Sequence, residues 1–216
     1  MSPIQQLALV AALALSCLGS ASAQTFQGRL ANGAPSATCT VSGVNKCTSF
    51  FNPSLNITIL NNWSLGQGFW SSTAAPGSVQ ALAATAGLSA TGLTGWVLPS
   101  GNGDAAAGAQ NQYLSIWNSV GSSFAGLSGQ FDGVQTDPLQ AGYWSGTELA
   151  PSGAWLLNVV NGMQRATTTT SPFFALAVLP GDVAAIPEPQ TYAMLLAGLS
   201  AVVVAVRRRR AVAAAP

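Results

Sequence analysis

No histidine occurs in this 216-residue chain, so the base that most serine and cysteine nucleophiles rely on is missing. Serines are plentiful, but Lys46 is the only lysine that could activate one. Acid–base chemistry is left to five carboxylates between residues 24 and 186: Asp104, Asp132, Asp137, Glu148 and Asp182. Two of them, set across a glycosidic bond, would make a polysaccharide hydrolase. Most sit in Gly- and Pro-rich turns, where a solvated or turn-capping carboxylate is the ordinary case. No Asp-x-Asp run supports a calcium loop, and Cys39 and Cys47 without a second pair are too few ligands for zinc. Trp144, Glu148 and Trp155 admit a sugar platform as their functional reading: an indole covers the apolar face of a pyranose while the carboxylate bonds its hydroxyls. The competing reading packs Tyr143, Trp144 and Trp155 into one core cluster around a turn. Trp63 and Trp70 are weaker versions of the same platform, on backbone that reads as irregular and exposed.

The segment that must position these residues runs from Gln24 to Ile186, 163 residues, one domain of ordinary size. Arg29, Lys46 and Arg165 face the five carboxylates, a net of −2. Three scattered cations are no basic stripe, so nucleic acid is excluded as a partner. Disorder is excluded too: all six tryptophans and seven of eight phenylalanines lie between Phe50 and Phe174, enough to supply a core. Cys39 and Cys47 read as a local disulfide of an oxidising compartment, with metal ligation the rival. Closing so short a loop stabilises by about 3 kcal/mol at most.

Coarse patterning predicts an α+β body of short strands and long connections. Val79–Ala84 reads as a short helix behind Pro76-Gly77. Gln110–Val120 is the clearest helix, with Tyr113, Leu114, Trp117 and Val120 on one face. Ile57–Leu60, Ala154–Val160 and Phe173–Leu179 are β-prone, and Asn161-Gly162 marks a hairpin. Phe124 and Leu127 read as part of a glycine-serine loop.

Hydrophobic segments flank this body. Leu7–Leu18 followed by Ala21-Ser22-Ala23 reads as a signal peptide over residues 1–23, although its start carries no Lys or Arg. At the other end Pro187-Glu188-Pro189 precedes sixteen uncharged residues, Thr191–Val206, and then Arg207, Arg208, Arg209 and Arg210. As a helix that run is about 24 Å, slightly short of a bilayer core. It predicts a transmembrane helix at 191–206 with the arginines and a tail of 211–216 in the cytoplasm.

This order strongly resembles the PEP-CTERM sorting signal over residues 187–210. The resemblance implies a bacterial protein exported, held transiently in the inner membrane, and cut near Pro187-Glu188-Pro189 by an exosortase. It also implies a place at the cell surface or in an exopolysaccharide matrix. An uncut single-pass anchor is the alternative.

A second resemblance covers residues 93–182. Trp96-Val97-Leu98-Pro99, the helix at 110–120, Tyr143-Trp144-Ser145-Gly146-Thr147-Glu148, Ala154-Trp155 and Asn161-Gly162 are similar to motifs of the DUF1566 domain. That domain is also described as the C-terminal domain of a Legionella collagen-like adhesin. It implies a compact, C-type-lectin-like fold. Val97 and Leu179 stand where that family usually has arginine. Together these readings predict a non-enzymatic exported protein, without cofactor, associated with exopolysaccharide, glycan-binding or adhesive; the alternative is a secreted polysaccharide hydrolase.

Overall fold

A computed structural model describes residues 26–137, 141–150 and 152–185. The expected signal peptide, the Pro187-Glu188-Pro189 motif, the arginine cluster and the tail lie outside the described residues. The rest is α+β, with ten short strands in two five-stranded sheets and three helices.

The first sheet is antiparallel, in the order β10-β4-β3-β1-β2. Its strands are β1 Gln27–Arg29, β2 Pro35–Ser36, β3 Ser49–Asn52, β4 Ile57–Leu60 and β10 Val178–Pro180. The second has the order β5-β9-β6-β7-β8. It comprises β5 Gln67–Gly68, β6 Gly142–Leu149, β7 Gly153–Asn158, β8 Gln164–Thr168 and β9 Phe173–Phe174. Only its β6–β9 pairing is parallel. Between the β5 and β6 strands lie α1 Val79–Thr91, α2 Gln112–Ser119 and α3 Phe124–Gln130. Each helix starts on a side-chain cap: Ser78, Asn111 and Ser123 accept from the backbone N–H of Ala81, Leu114 and Gly126. Helix α1 runs seven residues past the expected end at Ala84, stopped by Gly92 in a left-handed conformation, φ 72°. Helix α3 occupies the stretch expected to be loop.

Successive residues of a strand face opposite ways, and the middle of the second sheet uses this to fill two cores. Tyr143 meets Trp63 (ring centroids 5.3 Å) and Phe174 (5.6 Å) on one face. Trp63 in turn stacks on Phe131, which Phe26 and Phe50 approach edge-on. On the other face Trp144 meets Phe173 at 5.4 Å, among Trp70, Trp96 and Leu156. Gly87 on α1 makes room for Trp96, whose ring a Cβ there would reach at 2.0 Å.

The run Phe173–Leu179 is not one strand. It pairs in the second sheet as β9, passes through the fully buried Ala175, Leu176 and Ala177, and joins the first sheet as β10. The chain then turns back onto the body. Gly181 N–H donates to the Asn56 carbonyl (2.8 Å), Thr58 Oγ1 donates to the Gly181 carbonyl (2.8 Å), and Val183 N–H donates to that same hydroxyl (3.3 Å). Arg29, nearly inaccessible on β1, holds both carboxylate oxygens of Asp182 at 2.7 and 2.5 Å. A single 3-10 turn, Val183–Ala185, ends the described chain.

The hairpin expected at Asn161-Gly162 forms between β7 and β8, with Gly162 at φ 72°. Cys39 and Cys47 are joined in a disulfide, with Cα atoms 5.1 Å apart.

No helix among the described residues is long and apolar enough to cross a membrane. The longest, α1, has 13 residues, about 20 Å against a bilayer core of about 30 Å. The C-terminal transmembrane helix is therefore withdrawn, and with it the inner membrane as partner and as precursor location. Residues 191–206, on which that expectation fell, lie outside the described residues.

Partial burial raises the Asp182 pKa, but the Arg29 hydrogen bonds, the Ala184 N–H and the Arg29 charge outweigh it and leave the pKa below the ordinary 3.8. A lowered carboxylate pKa stabilises above the unfolded value and loses that contribution as pH falls through the folded one. Asp182→Asn should therefore cost roughly 3 kcal/mol at neutral pH by leaving Arg29 buried against a neutral partner. In denaturant melts the gap to the parent should begin to narrow near the ordinary carboxylate value and close only as pH falls below it, through the lowered folded value. Replacing Cys39 and Cys47 together by alanine should cost roughly 2–3 kcal/mol in the same assay, the loop-closure entropy of a short ring.

Candidate functional site

The sugar-platform residues come from β6 and β7, and the fold treats each differently. Trp144 is fully buried, and its Nε1–H donates to the carbonyls of Gly68 (3.2 Å) and Ser171 (3.3 Å). Both its ring and its polar atom are thus committed to the interior. Glu148 is exposed at the far end of β6, beyond an irregularity that sets three residues of β6, Ser145 to Thr147, against Trp155 alone on β7. That bulge turns Ser145 and Thr147 toward Gly101: Ser145 Oγ donates to its carbonyl (3.3 Å) and Thr147 Oγ1 accepts from its N–H (3.1 Å).

Trp155 is half-buried, with its ring over Gly103, where a Cβ would come within 2.5 Å. Glu148 pairs with Ala154 and shares that residue's face, whereas Trp155 faces the opposite way. The three residues are neighbours along the hairpin but do not converge on one surface.

Trp63 and Trp70 are buried as well, the latter donating from Nε1 to the Ser145 carbonyl at 2.7 Å. Irregular backbone around them had suggested exposure. In fact it is the loops that curl inward to deliver these rings.

The carboxylates are likewise divided. Asp182 is held by Arg29, and Asp132 pairs with Lys46 at the surface. Asp104 and Glu148 are exposed. Two phenols lie deep in the fold. Burial first, and then the neighbouring Tyr143, push the Tyr113 pKa up. Burial raises that of Tyr143 far more than the Gln135 N–H lowers it. Both stay protonated at physiological pH and act as donors, Tyr113 to the Trp144 carbonyl and Tyr143 to that of Trp63, each at 3.1 Å. Among the described residues no three of His, Cys, Asp and Glu gather as a metal ion would require.

A groove of about 510 Å³ runs between the end of β4 and helix α1. Leu60, Leu65, Ala86 and Ala90 form its floor, and Lys46, Thr48, Asn62 and Ser89 supply polar groups. Sequence reasoning missed it, because its two walls lie some thirty residues apart and neither has a functional motif. The Arg29–Asp182 pair was missed for the same reason, its partners being 153 positions apart.

A family model described as the PEP-CTERM protein-sorting motif matches residues 185–210. That span contains Pro187, Glu188, Pro189 and Arg207 to Arg210. It begins at Ala185, the last residue of the 3-10 turn, so the folded body and the motif abut without a linker. No curated protein matched the chain. The likeness of residues 93–182 to DUF1566 rests on its sequence motifs alone. The matched motif supports exosortase-mediated sorting of an extracytoplasmic protein.

Proposed function

We propose that this chain is an exported, non-enzymatic surface or matrix protein, sorted by an exosortase and working in association with exopolysaccharide. The observation that carries the reading is the sorting motif directly downstream of a closed, disulfide-bonded body. An oxidising compartment is where such a bond persists. A leader over residues 1–23 would deliver the chain there.

The non-enzymatic part rests on chemistry the body lacks or has spent. The chain has no histidine, two of the five body carboxylates are engaged by Arg29 and Lys46, and the buried tyrosines are locked as donors to main-chain carbonyls. Association with glycan would draw on the polar, weakly charged surface. Trp155 is the one tryptophan whose ring is not fully taken into the interior. The DUF1566 likeness is compatible with this role and adds an adhesive one.

Intact mass of the protein from an exosortase-positive strain and from its exosortase deletion tests the reading. The expected result is loss of residues 1–23 in both strains, and loss of a C-terminal piece starting near Pro187 only where the exosortase is present. Identical masses in the two strains, with Arg207 to Arg210 retained, would contradict it.

A further inference from the structure

Arg165 differs from the other two body cations. Arg29 is held by Asp182 and Lys46 by Asp132, whereas Arg165 is exposed on β8 with no carboxylate partner among the described residues. It stands opposite Leu156 of β7, and on the same strand Asn158 stands opposite Gly142 of β6. Cross-strand partners share a face, so these residues form a row over β6, β7 and β8. Gly142 leaves a gap in that row, which the Phe173 ring fills; a Cβ at 142 would come within 2.7 Å of it.

The result is a half-enclosed cavity of about 270 Å³, with Phe173 and Gly142 at one side and Arg165, Met163 and Asn161 at the other. Its size is near the lower end for small-ligand sites. Its chemistry is mixed in a particular way. Phe173 and the largely exposed Met163 offer apolar surface to the C–H face of a sugar ring. Asn161 accepts from the Met163 N–H through Oδ1 at 3.0 Å, which leaves its amide N–H₂ to donate to a hydroxyl. The Arg165 guanidinium is a planar fork matched to a carboxylate. A long polyanion is disfavoured, because the body carries a net −2 and has no second unpaired cation among the described residues.

We propose that this cavity binds one uronate residue of a polysaccharide, with its carboxylate on Arg165 and its ring against Phe173. The proposal rests on the matrix association above and names the sugar class it would take.

Calorimetric titration of the purified mature protein with methyl β-glucuronide and methyl β-glucoside tests it. The glucuronide should bind saturably, and the neutral glucoside about tenfold more weakly, the worth of one charge-assisted contact. Arg165→Gln should weaken the glucuronide about tenfold without moving the thermal melt, because no partner in the fold is lost; Arg165→Lys should recover part of the affinity. Equal affinity for the two glycosides, unchanged glucuronide binding in Arg165→Gln, or no saturable binding at all would each overturn the proposal. The masses of the same preparations separate the two ideas: correct processing without glucuronide binding removes this cavity alone. Binding without exosortase-dependent processing removes the sorting role and leaves the cavity.

Discussion

Tyr143 and Trp144 are adjacent residues of one strand, and because a strand alternates, they enter different cores. Phe174 and Phe173 of the neighbouring β9 answer them one for one, at 5.6 and 5.4 Å. The second sheet is therefore a partition with aromatic rings on both sides. Burying a ring of this size removes some 150–250 Å² from water, so these four side chains carry a large share of the drive to fold. The same arrangement decides how little of the aromatic content is left for a ligand. Five of the six tryptophans are buried, and the indole N–H of Trp70, Trp96 and Trp144 is spent on an internal oxygen.

The partition is tied to the first sheet by a short stretch of chain. Ala175, Leu176 and Ala177 carry the backbone through the interior from β9 to β10, and small side chains at two of the three positions let it pass between packed layers. Beyond them Asp182 closes on Arg29, the first charged residue of the body. The body thus completes its fold with the last residues before the sorting motif. The match to the sorting motif begins at Ala185, the last residue of the 3-10 turn that Asp182 helps to pin.

Much of this was legible from residues alone, and the exceptions have physical causes. The Gln112–Ser119 helix was visible because its apolar residues recur with helical period, and the β7–β8 hairpin because Asn-Gly suits a positive φ. The disulfide followed from compartment and spacing. The crossing at 175–177 was not visible, since a continuous apolar run reads the same whether a strand stays in its sheet or changes sheets. Helix α3 was hidden by two glycines and two flanking serines, and only the Ser123 cap betrays it. Trp144 was a fair candidate for a sugar platform until its half of the strand, Gly142 to Ser145, proved buried on both faces. The uncharged run near the C-terminus suggested a membrane helix by composition, which no described helix supports. Arg165 drew no attention, because what sets it apart is the pairing of the other two cations.

The most direct measurement compares a chain ending at Ala185 with one ending at Ala177, followed by near-ultraviolet circular dichroism during thermal unfolding. If residues 178–185 close the first sheet and lock Arg29, the longer chain should melt cooperatively with fixed aromatic signals, and the shorter should lose both the signals and the sharp transition. An equally cooperative melt, with the same aromatic spectrum, in the chain ending at Ala177 would contradict the account.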